Sequence, residues 1–169
     1  MQSMQIGYPD VSVSGLDLVA GALYEIFRNN EEKLAYICQT SGGWEGWLQC
    51  ELAWYFKSSN REENVYKRSS QRTDLVCYRE GRLPLSIELK AFAFGRDVNE
   101  FLGVCEKDLD KLKGLTFQAE PIAVVVVPNG KFYDRKDDEK GIGWLKGQYK
   151  GMGYREVDLG VCTAFLKGR

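Results

Sequence analysis

Apolar residues recur at helical intervals in some stretches of the chain and gather into short runs in others. Leu16, Val19, Ala20, Leu23, Ile26 and Phe27 keep the spacing of an amphipathic helix behind a Ser14-Gly15-Leu16-Asp17 capping box, so a helix is predicted that ends near Asn29-Asn30. Residues 33–40 are short and rich in Leu, Tyr and Ile and read as a strand before the Ser41-Gly42-Gly43 break. From Trp44 to about Lys57, the residues Trp44, Trp47, Leu48, Leu52, Tyr55 and Phe56 form an apolar stripe bordered by Glu45 and Glu51. This predicts a second helix, packed on a sheet; of its tryptophans Trp44, Trp47 and Trp54, the two on the packing stripe serve the core rather than stack on a ligand.

The next stretch, 58–72, is polar and basic around a short predicted strand at Val65-Tyr66. Residues 73–78 and 85–92 are β-like, and Arg79-Glu80-Gly81-Arg82 supplies a hairpin turn between them. Val98, Phe101, Leu102, Cys105, Leu109 and Leu112 predict a helix over 97–115. The unbroken apolar run from Ile122 to Val127, closed by Pro128-Asn129-Gly130, suits a strand buried on both faces of a sheet. A helix over 143–150 and a last strand over 154–165 complete the reading. The order is helix, three strands, helix, strand, with an extra helix in front and a helix-strand unit behind. It predicts an α/β domain in three layers, a central mixed sheet flanked by helices.

Length and composition narrow this further. A chain of 169 residues, 44% hydrophobic, can bury one substantial core but is short for two, so a single domain over 1–169 with its core at about 43–128 is expected. The net charge of −1 gives no general affinity for nucleic acid, and any anionic partner must be held by a local patch. No signal-peptide pattern and no bilayer-length apolar stretch is evident, which implies a cytoplasmic protein without a membrane partner. Five widely spaced cysteines, mostly in apolar segments, suit reduced core residues better than a disulfide framework. Histidine is absent, which removes Ser-His-Asp and Cys-His nucleophiles, histidine-bound zinc and a histidine general base. Chemistry is left to carboxylates, lysine, tyrosine or a metal.

Glu88-Leu89-Lys90 fits an Asp/Glu-x-Lys pattern, as do Glu31-Glu32-Lys33, Asp134-Arg135-Lys136 and Asp138-Glu139-Lys140. Only the first lies in an apolar strand, where alternation places Glu88 and Lys90 on one face and Ile87 and Leu89 on the other. Two charges there are costly unless paired, hydrated or bound to a metal, and the plainer alternative is an ion pair at a sheet edge. The hairpin returns Asp74 towards Glu88, so two hard oxygen ligands can converge on magnesium, with manganese as a substitute. Such an ion would act as a Lewis acid on a phosphodiester and its attacking water, with Lys90 orienting that water or stabilising the developing charge.

In these features the chain resembles the PD-(D/E)xK, or restriction-endonuclease-like, nuclease superfamily, over roughly residues 43–128. Asp74 matches the first acidic motif residue, preceded here by Thr73 rather than proline, and Glu88 and Lys90 match the second acid and the lysine. The resemblance implies a restriction-endonuclease-like fold and a metal-dependent nuclease acting on DNA, with RNA as the second candidate, in a defence, repair or mobile-element setting. Many members also carry a helix glutamate. Glu51, inside the apolar stripe, is slightly favoured here over Glu45, and the equally weighted plain reading of either is a solvated border residue, with Glu45 also well placed as a helix-dipole partner. The alternative is a binding or regulatory protein that keeps the nuclease fold without catalysis, alone, as a homodimer or beside a partner protein.

A basic run, Lys57, Arg61, Lys67, Arg68 and Arg72, leads into Asp74, and Lys67, Arg68 and Arg72 are the expected contacts to a phosphate backbone. Residues 140–155 mix glycine, aromatic and basic residues as a nucleic-acid groove would, and a helix with glycine-rich ends explains them as well.

Overall fold

A computed structural model describes residues 13–38, 43–66, 71–93, 95–129 and 136–168, with 136–140 described by backbone alone. Helix α1 spans Gly15–Asn29, and the Ser14 side chain caps it by accepting from the Asp17 amide. Helix α2 is Glu31–Ile37 and α3 is Glu45–Phe56. Strands β1 (Ser59–Glu63), β2 (Thr73–Cys77) and β3 (Leu85–Ala91) follow, then α4 (Val98–Lys111) with a 3-10 turn at Leu112–Gly114. Strand β4 is Glu120–Pro128, α5 is Lys136–Gly151, and β5 (Arg155–Asp158) and β6 (Cys162–Gly168) end the chain.

The strands form one sheet in the order β1-β2-β3-β4-β6-β5. It is mixed: β3 and β4 run parallel across the α4 crossover, and every other neighbouring pair is antiparallel. Strand β4 lies in the middle, buried on both faces as its valine run predicts. Ile122, Val124 and Val126 join a cluster with Val19, Leu23, Phe27, Trp44, Leu48 and Leu52 of the α1–α3 side. Ala123, Val125 and Val127 join Phe101, Cys105, Leu145, Tyr149 and Phe165 on the α4 and α5 side. The chain is thus an α/β protein whose six-stranded mixed sheet has helices on both faces.

Three sequence expectations are corrected here. Residues 33–37 belong to helix α2 rather than to a strand, its first turn carrying Glu31 and Glu32 and its one buried residue being Leu34. The first strand is the polar Ser59–Glu63, while Tyr66 makes only an isolated bridge to Leu115. The last strand is a hairpin, β5 and β6, whose connection uses Gly160 at a φ of +78°, where a side chain would be strained. Residues 140–155 span most of α5, which buries Ile142, Leu145 and Tyr149 and leaves Trp144 exposed. No described helix is long and apolar enough to cross a membrane.

Candidate functional site

Strand β3 alternates as expected. Ile87, Leu89 and Ala91 enter the α1–α3 cluster, and Glu88 and Lys90 face α4. The antiparallel register pairs Leu75 with Ile87, and one step further brings Asp74 beside Glu88. There the ladder gives way to a side chain: Asp74 Oδ2 accepts the Leu89 amide at 2.7 Å. On its other side, the β1–β2 register passes from Arg61↔Leu75 to Glu63↔Thr73, and the intervening Glu62 has a φ of 54°. A non-glycine residue in that region costs about 1–2 kcal/mol, so backbone strain lies next to Asp74.

Glu88 is only 2% exposed. Tyr66 Oη donates to its Oε1, and Lys111 Nζ, at the end of α4, donates to Oε2 at 2.9 Å. Burial, and then the Asp74 carboxylate, push the Glu88 pKa up to about 7 against the opposing pull of Tyr66 and Lys111. Burial raises Asp74 as well, opposed by the Leu89 amide and by Lys90. Tyr66 is driven upward by burial and by Glu88, so its phenol remains a donor.

Lys90 Nζ donates to Glu45 Oε1 at 3.0 Å and to the Leu89 carbonyl at 3.1 Å, and lies 3.3 Å from Asp108 Oδ2. Burial alone would lower its pKa, but Glu45, Asp74 and Asp108 together hold it above the ordinary lysine value, so it stays an ammonium. Glu45 is placed by the start of α3, which is pinned to the end of β3. Glu45 Oε2 accepts the Ala91 amide at 3.2 Å, and the Trp44 indole donates to the Phe92 carbonyl at 3.0 Å.

The structure therefore gathers Asp74, Glu88, Lys90 and Glu45. Of the two helix carboxylates it is Glu45, not the slightly favoured Glu51, that reaches Lys90. Glu51 lies six residues on, about 240° around the helix axis, half-buried on another face. The residues not anticipated are Tyr66, Asp108 and Lys111. In sequence the last two are ordinary charges one turn apart beside a helix's apolar stripe, and only their signs, opposite to those of Lys90 and Glu88, hint at pairing.

Of the basic run, Lys67 and Arg68 lie outside the described residues. Arg72 is exposed and donates to the Glu62 carbonyl at 3.0 Å. Arg61 is exposed and donates to Gln49 Oε1 and Cys50 Sγ of α3, each at 2.9 Å. Four of the cysteines are buried and free as expected, and Cys50 is exposed.

Among the described residues no group of three acidic or cysteine side chains is gathered into a metal cage. Asp74 and Glu88 form a two-carboxylate set within a wider cluster in which four carboxylates, Glu45, Asp74, Glu88 and Asp108, surround two ammonium groups, Lys90 and Lys111. No family model matches the chain, and neither a curated protein nor a solved structure matches it.

Proposed function

We propose that the chain is a metal-dependent nuclease of the restriction-endonuclease-like class, hydrolysing phosphodiester bonds in DNA or RNA, with Asp74 and Glu88 as metal ligands. The observation that carries this reading is the carboxylate surplus at the sheet: with all groups ionised, four carboxylates meet two ammonium groups. Burial first, and then the neighbouring Asp74 carboxylate, hold Glu88 raised, and a hard divalent cation relieves the repulsion between the two carboxylates. The order of helix α3, strands β1–β3, helix α4 and strand β4, with Asp74 on β2 and Glu88 and Lys90 on β3, also supports the reading, since the PD-(D/E)xK resemblance implies that order.

The register that brings the hard carboxylates of Asp74 and Glu88 side by side provides donors that suit magnesium, or manganese in its place, and these two residues would hold it. When bound, that ion supplies a Lewis acid for the phosphodiester and its attacking water. The chain's own groups do the rest. Lys90, kept protonated, donates to negative charge developing on the phosphoryl oxygens. Glu45 and Asp108 fix its ammonium from two sides, and the Leu89 amide fixes the Asp74 carboxylate. Exposed Arg72, beside β1, would meet the phosphate backbone of the substrate.

A crystal soaked in manganese should show anomalous density between Asp74 and Glu88. Purified protein should cleave single-stranded or duplex nucleic acid with magnesium or manganese and not with chelator. Absence of both turns the reading to a non-catalytic protein that keeps the fold. The observation favouring that alternative is that Tyr66 and Lys111 already engage both oxygens of Glu88.

A further inference from the structure

Helix α4 presents its charges to β3 in reverse. Asp108 and Lys111, one helical turn apart, face Lys90 and Glu88, two residues apart on the strand, so each strand charge meets its opposite. The two pairs are not equivalent. Lys90 has carboxylates on two sides, at 3.0 and 3.3 Å. Lys111 reaches Glu88 at 2.9 Å, and among the described residues Glu88 forms an ion pair with no other cation. The Glu88 side chain is 1% exposed and that of Lys111 17%, so the ammonium lies on the solvent side of the pair. Lys111 Nζ also lies over the Tyr66 ring, 5.1 Å from its centroid, while the Tyr66 hydroxyl holds the other Glu88 oxygen.

We propose that Lys111 is the resident counter-ion of the acidic centre: it occupies the place at Glu88 that a divalent cation takes, exchanges with that cation, and then offers its ammonium to a substrate phosphodiester. This rests on the metal-dependent reading of Asp74 and Glu88. Charge balance gives the exchange its direction. Without metal, four carboxylates face two ammonium groups, a charge of −2; with a divalent cation in the place of Lys111 they face that ion and Lys90, a charge of −1, so the exchange narrows the imbalance and frees the Lys111 ammonium for the substrate's negative charge. The lysine has a flexible four-carbon stem at the last position of α4 and keeps the Tyr66 face as a contact when it lets go of Glu88. Asp108 and Glu45 hold Lys90 in place throughout.

The experiment is a calorimetric manganese titration of the parent, Lys111→Gln, Lys111→Arg and Asp74→Asn at pH 8.5, above the value of about 7 to which Glu88 is raised. It is paired with binding of a labelled oligonucleotide in calcium. Lys111→Gln should bind manganese about threefold or more tightly than the parent, because no cation competes. It should bind the oligonucleotide about threefold or more weakly. Lys111→Arg, which keeps the charge, should bind manganese like the parent and shows that the gain comes from charge rather than from loosened packing. Equal or weaker manganese binding by Lys111→Gln, with Asp74→Asn still abolishing it, overturns the exchange and leaves the metal reading standing. Unchanged oligonucleotide binding by Lys111→Gln overturns the substrate contact. No manganese binding by the parent or by either Lys111 variant overturns the exchange and the metal reading together.

Discussion

The two faces of β3 are closed by different means. Ile87 and Leu89, at 0% and 1% exposure, are covered by apolar side chains from α1 and α3. Glu88 and Lys90, one residue over, are covered by charges from α4 and by the head of α3. The first face stabilises the fold through area removed from water, roughly 25 cal/mol per Å2. The second gains little net stability, because taking ions out of water offsets much of their mutual attraction. An apolar α4 face would hold the sheet at least as firmly. A strand that is apolar on one side and carries a buried carboxylate and a partly buried ammonium on the other therefore marks a place where stability has been given up, and such places are where chemistry is expected.

The sharpest way to break this comparison is to remove one group from each face. Lys90→Ala should lower metal-dependent cleavage about a thousandfold or more, some 4 kcal/mol of barrier, while manganese still binds because Asp74 and Glu88 remain. Cleavage by the variant at the parental rate would place the activity elsewhere. Leu89→Ala on the other face should cost about 3 kcal/mol of stability through the cavity it leaves, read by chemical denaturation. Its cleavage rate per folded molecule should stay near the parent's. A Leu89→Ala protein that is stable but inactive would erase the distinction between the faces.

What was legible in the chain follows the same division. The apolar face announced itself, since alternation in residues 85–92 and the valine run of β4 have no other economical reading. Glu88 and Lys90 were legible because they put two charges on the second face of a strand whose first face is apolar. Helix α2 was not, because Leu34-Ala35-Tyr36-Ile37 is too short to show a period, and a short apolar run reads equally as strand or helix. Strand β1 was not, because Ser59–Glu63 is a polar edge strand with its middle exposed and carries no core pattern. Asp108 and Lys111 were invisible for a third reason: their partners lie 18 and 23 residues away, across the turn between β3 and α4, and nothing local distinguishes them from solvated charges.

Acidity offers a gentler probe of the ionic face. Glu88 is raised from its ordinary 4.5 to about 7, chiefly by burial and then by Asp74. Its protonated form is therefore favoured in the folded, metal-free protein, and the stability this contributes is full below about pH 4.5 and lost as pH rises through about 7. The loss is about 3 kcal/mol, shared with Asp74 because the two titrate as a pair. Glu88→Gln should flatten that part of the pH profile of unfolding, and parallel profiles for parent and variant would remove Glu88 as its source. Saturating manganese should reverse the trend, since the ion binds the ionised pair.

The smallest effect tests the two faces of α3 instead of those of β3. Glu45 and Glu51 share a helix and a charge, but only Glu45 bonds to Lys90 and to the Ala91 amide, whereas Glu51 lies part-way round the helix. Glu45→Gln keeps an amide oxygen for Ala91 and removes one of the two carboxylates that fix the Lys90 ammonium. Groups that orient a reacting side chain in this way are worth about 10- to 100-fold in rate. The loss should fall on kcat more than on KM, because Lys90 is asked to act on charge that develops in the transition state. Glu51→Gln, measured alongside, should change stability by less than about 0.5 kcal/mol and cleavage hardly at all. Were the two variants to lose activity equally, α3 would be acting through its packing on the sheet. Were Glu51→Gln the more damaging, the centre would extend to a face of α3 that the Lys90–Glu45 contact does not reach.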